Sequence, residues 1–161
     1  MLEFKGMDKK KFIANTMVIT WGILIFVFSS QEGSTSGQLS GVIARELYAF
    51  LQVIPFFSRI IPFEFFHFLL RKSAHFFKYF IFGLLVINAF KNYRPLNLND
   101  FVPISLFGMM VAFIDEGLQY FIPGRYFSLI DIMIDFSGFV IGGLLMYYFH
   151  LRKTNKTFEQ A

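Results

Sequence analysis

The chain has 161 residues, 55% of them hydrophobic and 16% charged, with 15 Lys and Arg against 11 Asp and Glu. One domain of this length keeps too much of its mass near the surface to hide 25 Phe beside its Leu, Ile and Val, which excludes an ordinary water-soluble fold. The same apolar content excludes disorder, and the absence of Cys excludes a disulfide scaffold, a thiolate metal site and a Cys nucleophile.

Four apolar stretches, 12–29, 74–90, 101–122 and 129–149, approach the ~20 residues that a helix needs to cross ~30 Å of hydrocarbon. Strand alternation is absent, and a lipid-facing backbone must satisfy its own hydrogen bonds, so these are expected to be helices rather than barrel strands. Lys9, Lys10 and Lys11 before the first stretch resemble the start of a signal peptide, with Val27-Phe28-Ser29 as a cleavage site. The run is longer than a usual signal core and contains Trp21, so a retained span is expected.

Between the first and second spans, QEGSTSGQ reads as a polar loop. Leu39, Val42, Ile43, Leu47, Phe50, Leu51 and Ile54 then recur at helical spacing, with Arg45, Glu46 and Gln52 off that stripe. This predicts an amphipathic helix ended by Pro55. The aromatic stretch that follows is broken by Pro62 and is too polar to span. The whole of 38–70 is therefore expected at the membrane interface, re-entering between the helices, or packed on them for stability.

Basic residues set the orientation. A cytoplasmic N-terminus places Lys5, Lys9, Lys10, Lys11, Lys91, Arg94, Arg152, Lys153 and Lys156 inside, against Arg45, Arg59, Arg71, Lys72 and Arg125 outside. Both termini are then cytoplasmic. Every intramembrane charge then falls in the outer half of the bilayer: Arg71, Lys72, Lys78 and Arg125 against Asp115, Glu116, Asp131 and Asp135. His75, Tyr79, Gln119 and Ser128 lie among them. Ser128, Asp131, Asp135, Gly138 and Gly142 form one stripe whose inner end is small, as close helix packing in lipid requires.

An ion near the bilayer centre costs at least ~2.5–3.5 kcal/mol on insertion, so these groups must face one another or a water-filled pocket. A bare salt-bridge cluster fastening three helices is one reading; a functional site is the other. His75 with Glu116 suits general acid–base chemistry. Arg71, Lys72 and Arg125 suit a phosphate or carboxylate clamp, in which Tyr79, Asp115, Gln119, Ser128, Asp131 and Asp135 would complete the pocket. No metal and no cofactor are expected, because the neighbouring cations disfavour a divalent ion and only His75 is suitably placed. Ser128 lacks a GxSxG elbow. His67 reads as an interfacial residue among Phe side chains. A charge of +4 spread over membrane-flanking segments does not suit nucleic acid.

Arg71-Lys72-x-x-His75-Phe76-x-x-Tyr79-x-x-x-Gly83 resembles the first signature of the VanZ-like membrane proteins. Glu116-x-x-Gln119, Pro123-Gly124-Arg125-x-x-Ser128-x-x-Asp131, and then Gly138 and Gly142, resemble the second. The Trp21 span followed by Phe28-Ser29-Ser30-Gln31 resembles the family's opening, so the likeness covers about 15–148. Two positions depart from it: Asp135 stands where Asn is usual, and Lys78 where Glu or a neutral residue is commoner. These two are expected to pair with each other.

The resemblance implies a bacterial cytoplasmic-membrane protein, in a family whose namesake is associated with resistance to the glycopeptide teicoplanin. The sequence reading is an all-α integral membrane protein, residues 1–161 forming a single domain of four transmembrane helices plus the interfacial segment. Its expected partners are the lipid bilayer and an anionic lipid or lipid-linked cell-wall precursor. Three functions stay open: binding or modifying an anionic envelope ligand, hydrolysis or transfer on a lipid-linked substrate, and proton-coupled transport through His75 and the acids. Arg71 or Lys72 is expected to meet Glu116, and Arg125 to meet Asp131 or Asp135.

Overall fold

A computed structural model describes residues 9–54 and 57–159, without the side chains of 58, 59 and 153–159. Lys5, Pro55 and the side chains of Arg59, Lys153 and Lys156, which entered the expectations above, lie outside the described residues. The elements are α1 (Lys9–Ser29), α2 (Gly33–Leu51), the short α3 (Phe57–Ile60), α4 (Phe63–Phe90), α5 (Phe101–Gln119), preceded by a 3-10 turn at Leu98–Asp100, and α6 (Leu129–Glu159). No strand occurs among the described residues, and α1, α4, α5 with its preceding turn, and α6 are each long and apolar enough to cross a membrane. The protein is thus an all-α, multi-pass membrane protein.

Three boundaries differ from the sequence reading, each for a local reason. QEGSTSGQ is not a loop: α2 starts at Gly33. Its Gly- and Ser-rich first turns have weak intrinsic helix propensity, but tertiary contact overrides it. The Gly33 amide donates to the Pro123 carbonyl at 3.0 Å, and a Cβ on Gly33 would lie 2.0 Å from the Gly124 carbonyl oxygen. Gly124 itself turns the chain at φ +73°. Phe63–Leu70 continues into the second span as one helix, because Pro62 precedes α4, where its missing N–H breaks no helical bond. The third apolar stretch leaves the helix after Gln119, and Tyr120–Ile122 form a turn.

α4 and α6 form the most extensive helix pair. Their backbones touch through glycine: a Cβ on Gly83 would lie 2.1 Å from the Phe139 oxygen, on Gly138 2.3 Å from the Phe76 oxygen, and on Gly142 2.0 Å from the Phe80 oxygen. Such proximity is how helices gain dispersion contact in lipid, where hydrophobic transfer supplies no drive. Around this seam, Ile25, Phe82, Ile87, Ile104, Val111, Ile132 and Phe139 are buried. α1 is tied to α4 by the Trp21 indole, which donates to the Lys78 carbonyl at 2.8 Å. At the opposite end of the bundle, Arg94 holds Asp100 at 2.5 Å, and Asp100 caps the turn before α5 through the Asn97 amide at 2.9 Å.

Two predictions arise here. Gly142→Ala should lower the melting temperature of the detergent-solubilised protein, at a cost of about 1–3 kcal/mol for forcing a methyl between two helices. Gly117→Ala, where nothing lies within 4 Å, should leave it unchanged or raise it. Equal melts for both would contradict the glycine seam. For orientation, the Cys-free chain allows single reporters at two exposed positions, Tyr126→Cys and Asn99→Cys. An impermeant thiol reagent on intact cells should label position 126 and not 99; the reverse pattern would invert the assignment of sides.

Candidate functional site

The polar residues collect where α1 ends, α4 begins, α5 ends and α6 begins. α4 presents Lys72, His75 and Lys78 three residues apart, one rung per turn along one face. Each rung meets an acid from another helix. Lys72 pairs with Asp131 on α6, His75 Nδ1 with Asp135 on α6 at 3.2 Å, and Lys78 Nζ with Asp115 on α5 at 2.8 Å. Lys78 also reaches Ser29 of α1 at 3.3 Å. Asp115, Glu116 and Asp135 are wholly buried.

Glu116 is satisfied differently. Its carboxylate accepts from Gln119 Nε2 at 2.7 Å and from the Ser128 amide at 3.2 Å. Ser128 precedes α6, and its Oγ accepts from the Asp131 amide at 3.2 Å, so the hydroxyl caps the helix. Glu116 therefore sits at the positive end of α6, where an anion is favoured. This corrects the expected contact of Glu116 with Arg71 or Lys72: a helix terminus, not a base, holds the carboxylate. Arg125 does not meet Asp131 or Asp135 either. Its Nη1 donates to Gln119 Oε1 at 2.8 Å, because the Gly124 turn, seated on Gly33, carries the guanidinium over the end of α5. Nor do Lys78 and Asp135 form a pair; Lys78 faces α5 and α1, leaving Asp135 to His75.

Above this network opens a cleft of about 240 Å³. Arg71, Lys72, His75, Gln119, Arg125 and Asp131 line it together, while Tyr79, Asp115, Glu116, Ser128 and Asp135 do not reach its wall. Its cations Arg71, Lys72 and Arg125 outnumber its acids Glu64 and Asp131. Arg71 has no ion pair among the described residues, and Arg125 Nε is buried without a partner. Burial, together with nearby Arg71, pushes the Arg125 guanidinium below its ordinary pKa, against the opposing pull of Glu116 and Asp115.

Sequence reasoning missed part of the wall. Glu64, His67, Phe68, Tyr126, Gly33 and Gly124 line the cleft as well. His67 is engaged, with Nε2 2.9 Å from Ser40 Oγ of α2. Its signal was available: His67, Arg71 and His75 stand four residues apart, on one face of a helix that starts earlier than the hydropathy suggested.

Beneath Lys78 the interior turns apolar, with Phe82, Ile87, Ile104 and Phe139. His75, Glu116 and Asp135 each bring one donor atom within 4.8 Å of the other two. The Tyr79 hydroxyl, Asp115 Oδ1 and Asp135 Oδ2 are buried without a hydrogen bond of ordinary geometry.

No curated protein and no solved structure shows significant similarity to the chain. The family model described as VanZ/LLP1 matches residues 14–150, a range that contains α4, α5 and every group of the charged cluster. The chain belongs to the VanZ/LLP1 family.

Proposed function

We propose that the cleft opens to the outer side of a bacterial cytoplasmic membrane and clamps the phosphate or carboxylate of an anionic envelope ligand, binding or modifying it and lowering susceptibility to glycopeptides such as teicoplanin. One observation carries this reading. Arg71 and Arg125 share a cleft, neither has a carboxylate partner among the described residues, and Arg125 keeps a buried N–H unused. A buried N–H of the half-buried Arg125 guanidinium left without an acceptor is costly, and a forked oxyanion relieves that cost with charge-assisted hydrogen bonds, which the exposed Arg71 can join. A lipid-linked cell-wall precursor or an anionic lipid would bring such a group to this depth.

A second reading has its own support. His75 lines the cleft while Asp135 holds its Nδ1, which leaves Nε2 as the nitrogen free to exchange a proton with a bound substrate. With Glu116 as partner, this would serve a hydrolase or transferase acting on a lipid-linked substrate. Proton-coupled transport has less support, since the apolar interior beneath Lys78 offers no polar continuation.

The test combines Arg71→Gln with Arg125→Gln. Each charge-assisted bond is worth about 1.5–3 kcal/mol, so affinity for a short-chain prenyl pyrophosphate in nanodiscs should fall at least about tenfold. Teicoplanin susceptibility of cells carrying the variant should return to that of cells without the protein, while the melting temperature holds. Unchanged binding and unchanged resistance would overturn the clamp. The enzyme reading expects instead that His75→Gln keeps the affinity and abolishes turnover.

A further inference from the structure

We infer that His75, Glu116 and Asp135 form a site for a divalent transition-metal cation of the zinc class, set below the cleft floor. The inference does not rest on the anion clamp.

Charge pairing leads to it. Of the four acids in the cluster, Asp131 and Asp115 are neutralised by Lys72 and Lys78. Glu116 and Asp135 form no ion pair with a lysine or arginine, are wholly buried, and stand beside a single imidazole. Two carboxylates in a low-dielectric interior call for positive charge between them. Both nearby lysines are held by other acids, which offsets the repulsion they would exert on a metal. Arg125 is held off by Gln119, which stands between it and Glu116.

The donors suit the ion. One imidazole nitrogen and two carboxylate oxygens make a three-ligand set of the kind that leaves catalytic zinc an open position. Ligand atoms around tetrahedral zinc stand about 3.3 Å apart. His75 Nδ1 and Asp135 Oδ1 already do so at 3.2 Å, and all three donors lie within 4.8 Å of one another. The hydrogen bonds from Gln119 and the Ser128 amide leave lone pairs on Glu116 and act as the outer-shell support that metal-binding carboxylates have.

A second, independent observation points into the same place. The Tyr79 hydroxyl is wholly buried, makes no hydrogen bond of ordinary geometry, and has Asp115 as its nearest carboxylate, with Asp135 and Glu116 also close by. Asp135 Oδ2 is likewise buried and unpartnered. A cation between Glu116 and Asp135 would engage Asp135, and a water held on its open position would be within the surroundings of the phenol. His75 reaches the cleft wall, which supplies the entry path.

The test uses full-length protein carrying an affinity tag without histidine, stripped with chelator and re-equilibrated with zinc chloride. About one zinc per chain should remain after desalting, with a raised melting temperature. Asp135→Asn and Glu116→Gln should each weaken zinc binding at least about tenfold. His67→Ala, which alters the cleft but not the three donors, should retain it. Cobalt chloride added to the wild-type chain gives a readout that needs no variant: a tetrahedral cobalt absorption band is expected. Absence of retained zinc together with absence of that band would overturn the site, as would zinc retained equally by both donor variants. Arg71→Gln/Arg125→Gln should keep the metal while losing the anion, so either proposal can fail alone.

Discussion

A polar or charged group carried on a membrane-spanning helix has to find its partner within the protein itself, and the ladder of Lys72, His75 and Lys78 on α4 imposes that demand three times. Each charged group left to lipid would cost at least ~2.5–3.5 kcal/mol. Stranding one partner of a buried pair costs about 3–5 kcal/mol. Asp131 and Asp135 answer from α6, and Asp115 answers from α5. The ladder thereby fixes the register of three helices at once. Ser29 on the Lys78 ammonium, and Trp21 on the Lys78 carbonyl, bring α1 into the same register.

The glycine seam and the ladder are parts of one device. Lys reaches far, but the imidazole of His75 is short, so α6 has to come close at that level. Gly138 lies three residues beyond Asp135 and presses against the Phe76 carbonyl, next in sequence to His75. A side chain at Gly138 would hold the helices apart and lengthen the 3.2 Å contact between His75 and Asp135. Gly33 and Gly124 do the same at the cleft mouth, where backbone contact between α2 and the α5–α6 loop sets the position of Arg125.

The parts of this arrangement legible in the sequence were those encoded locally. Hydropathy located the four spans, because about 20 apolar residues in a row have few other uses. The alternating direction of successive spans gathered Arg71, His75, Tyr79, Asp115, Gln119 and Asp131 at one end of the bundle. The pairings were not legible. Which acid meets which base depends on helix azimuth and on competitors that carry no charge: the α6 terminus takes Glu116, and Gln119 takes Arg125. The start of α2 was hidden for a related reason, since Gly33-Ser34-Thr35-Ser36 has weak helix propensity of its own and its helix is docked on the Pro123–Gly124 loop. Reading the first turns of α4 as a separate interfacial stretch also hid His67, which joins Ser40 of α2 and lines the cleft from the early start of α4.

The distribution of charge weighs against a cluster that only fastens helices. A fastener of four bases and four acids would be most stable with every base on an acid. Here two lysines are paired, while Glu116 and Asp135 remain together in the interior and Arg71 and Arg125 remain together at the cleft. Acid excess lies deep and basic excess lies at the mouth. Arg125 is near enough to feel Glu116, yet Gln119 intervenes, with its oxygen on the arginine and its amide on the carboxylate. That neutral bridge keeps apart two opposite charges that would otherwise close on each other. The separation leaves Arg125 with an unused buried N–H and Glu116 without a counter-cation, a cost that helix fastening would avoid. The separation leaves a base-rich mouth above an acid-rich floor, held by the same three helices.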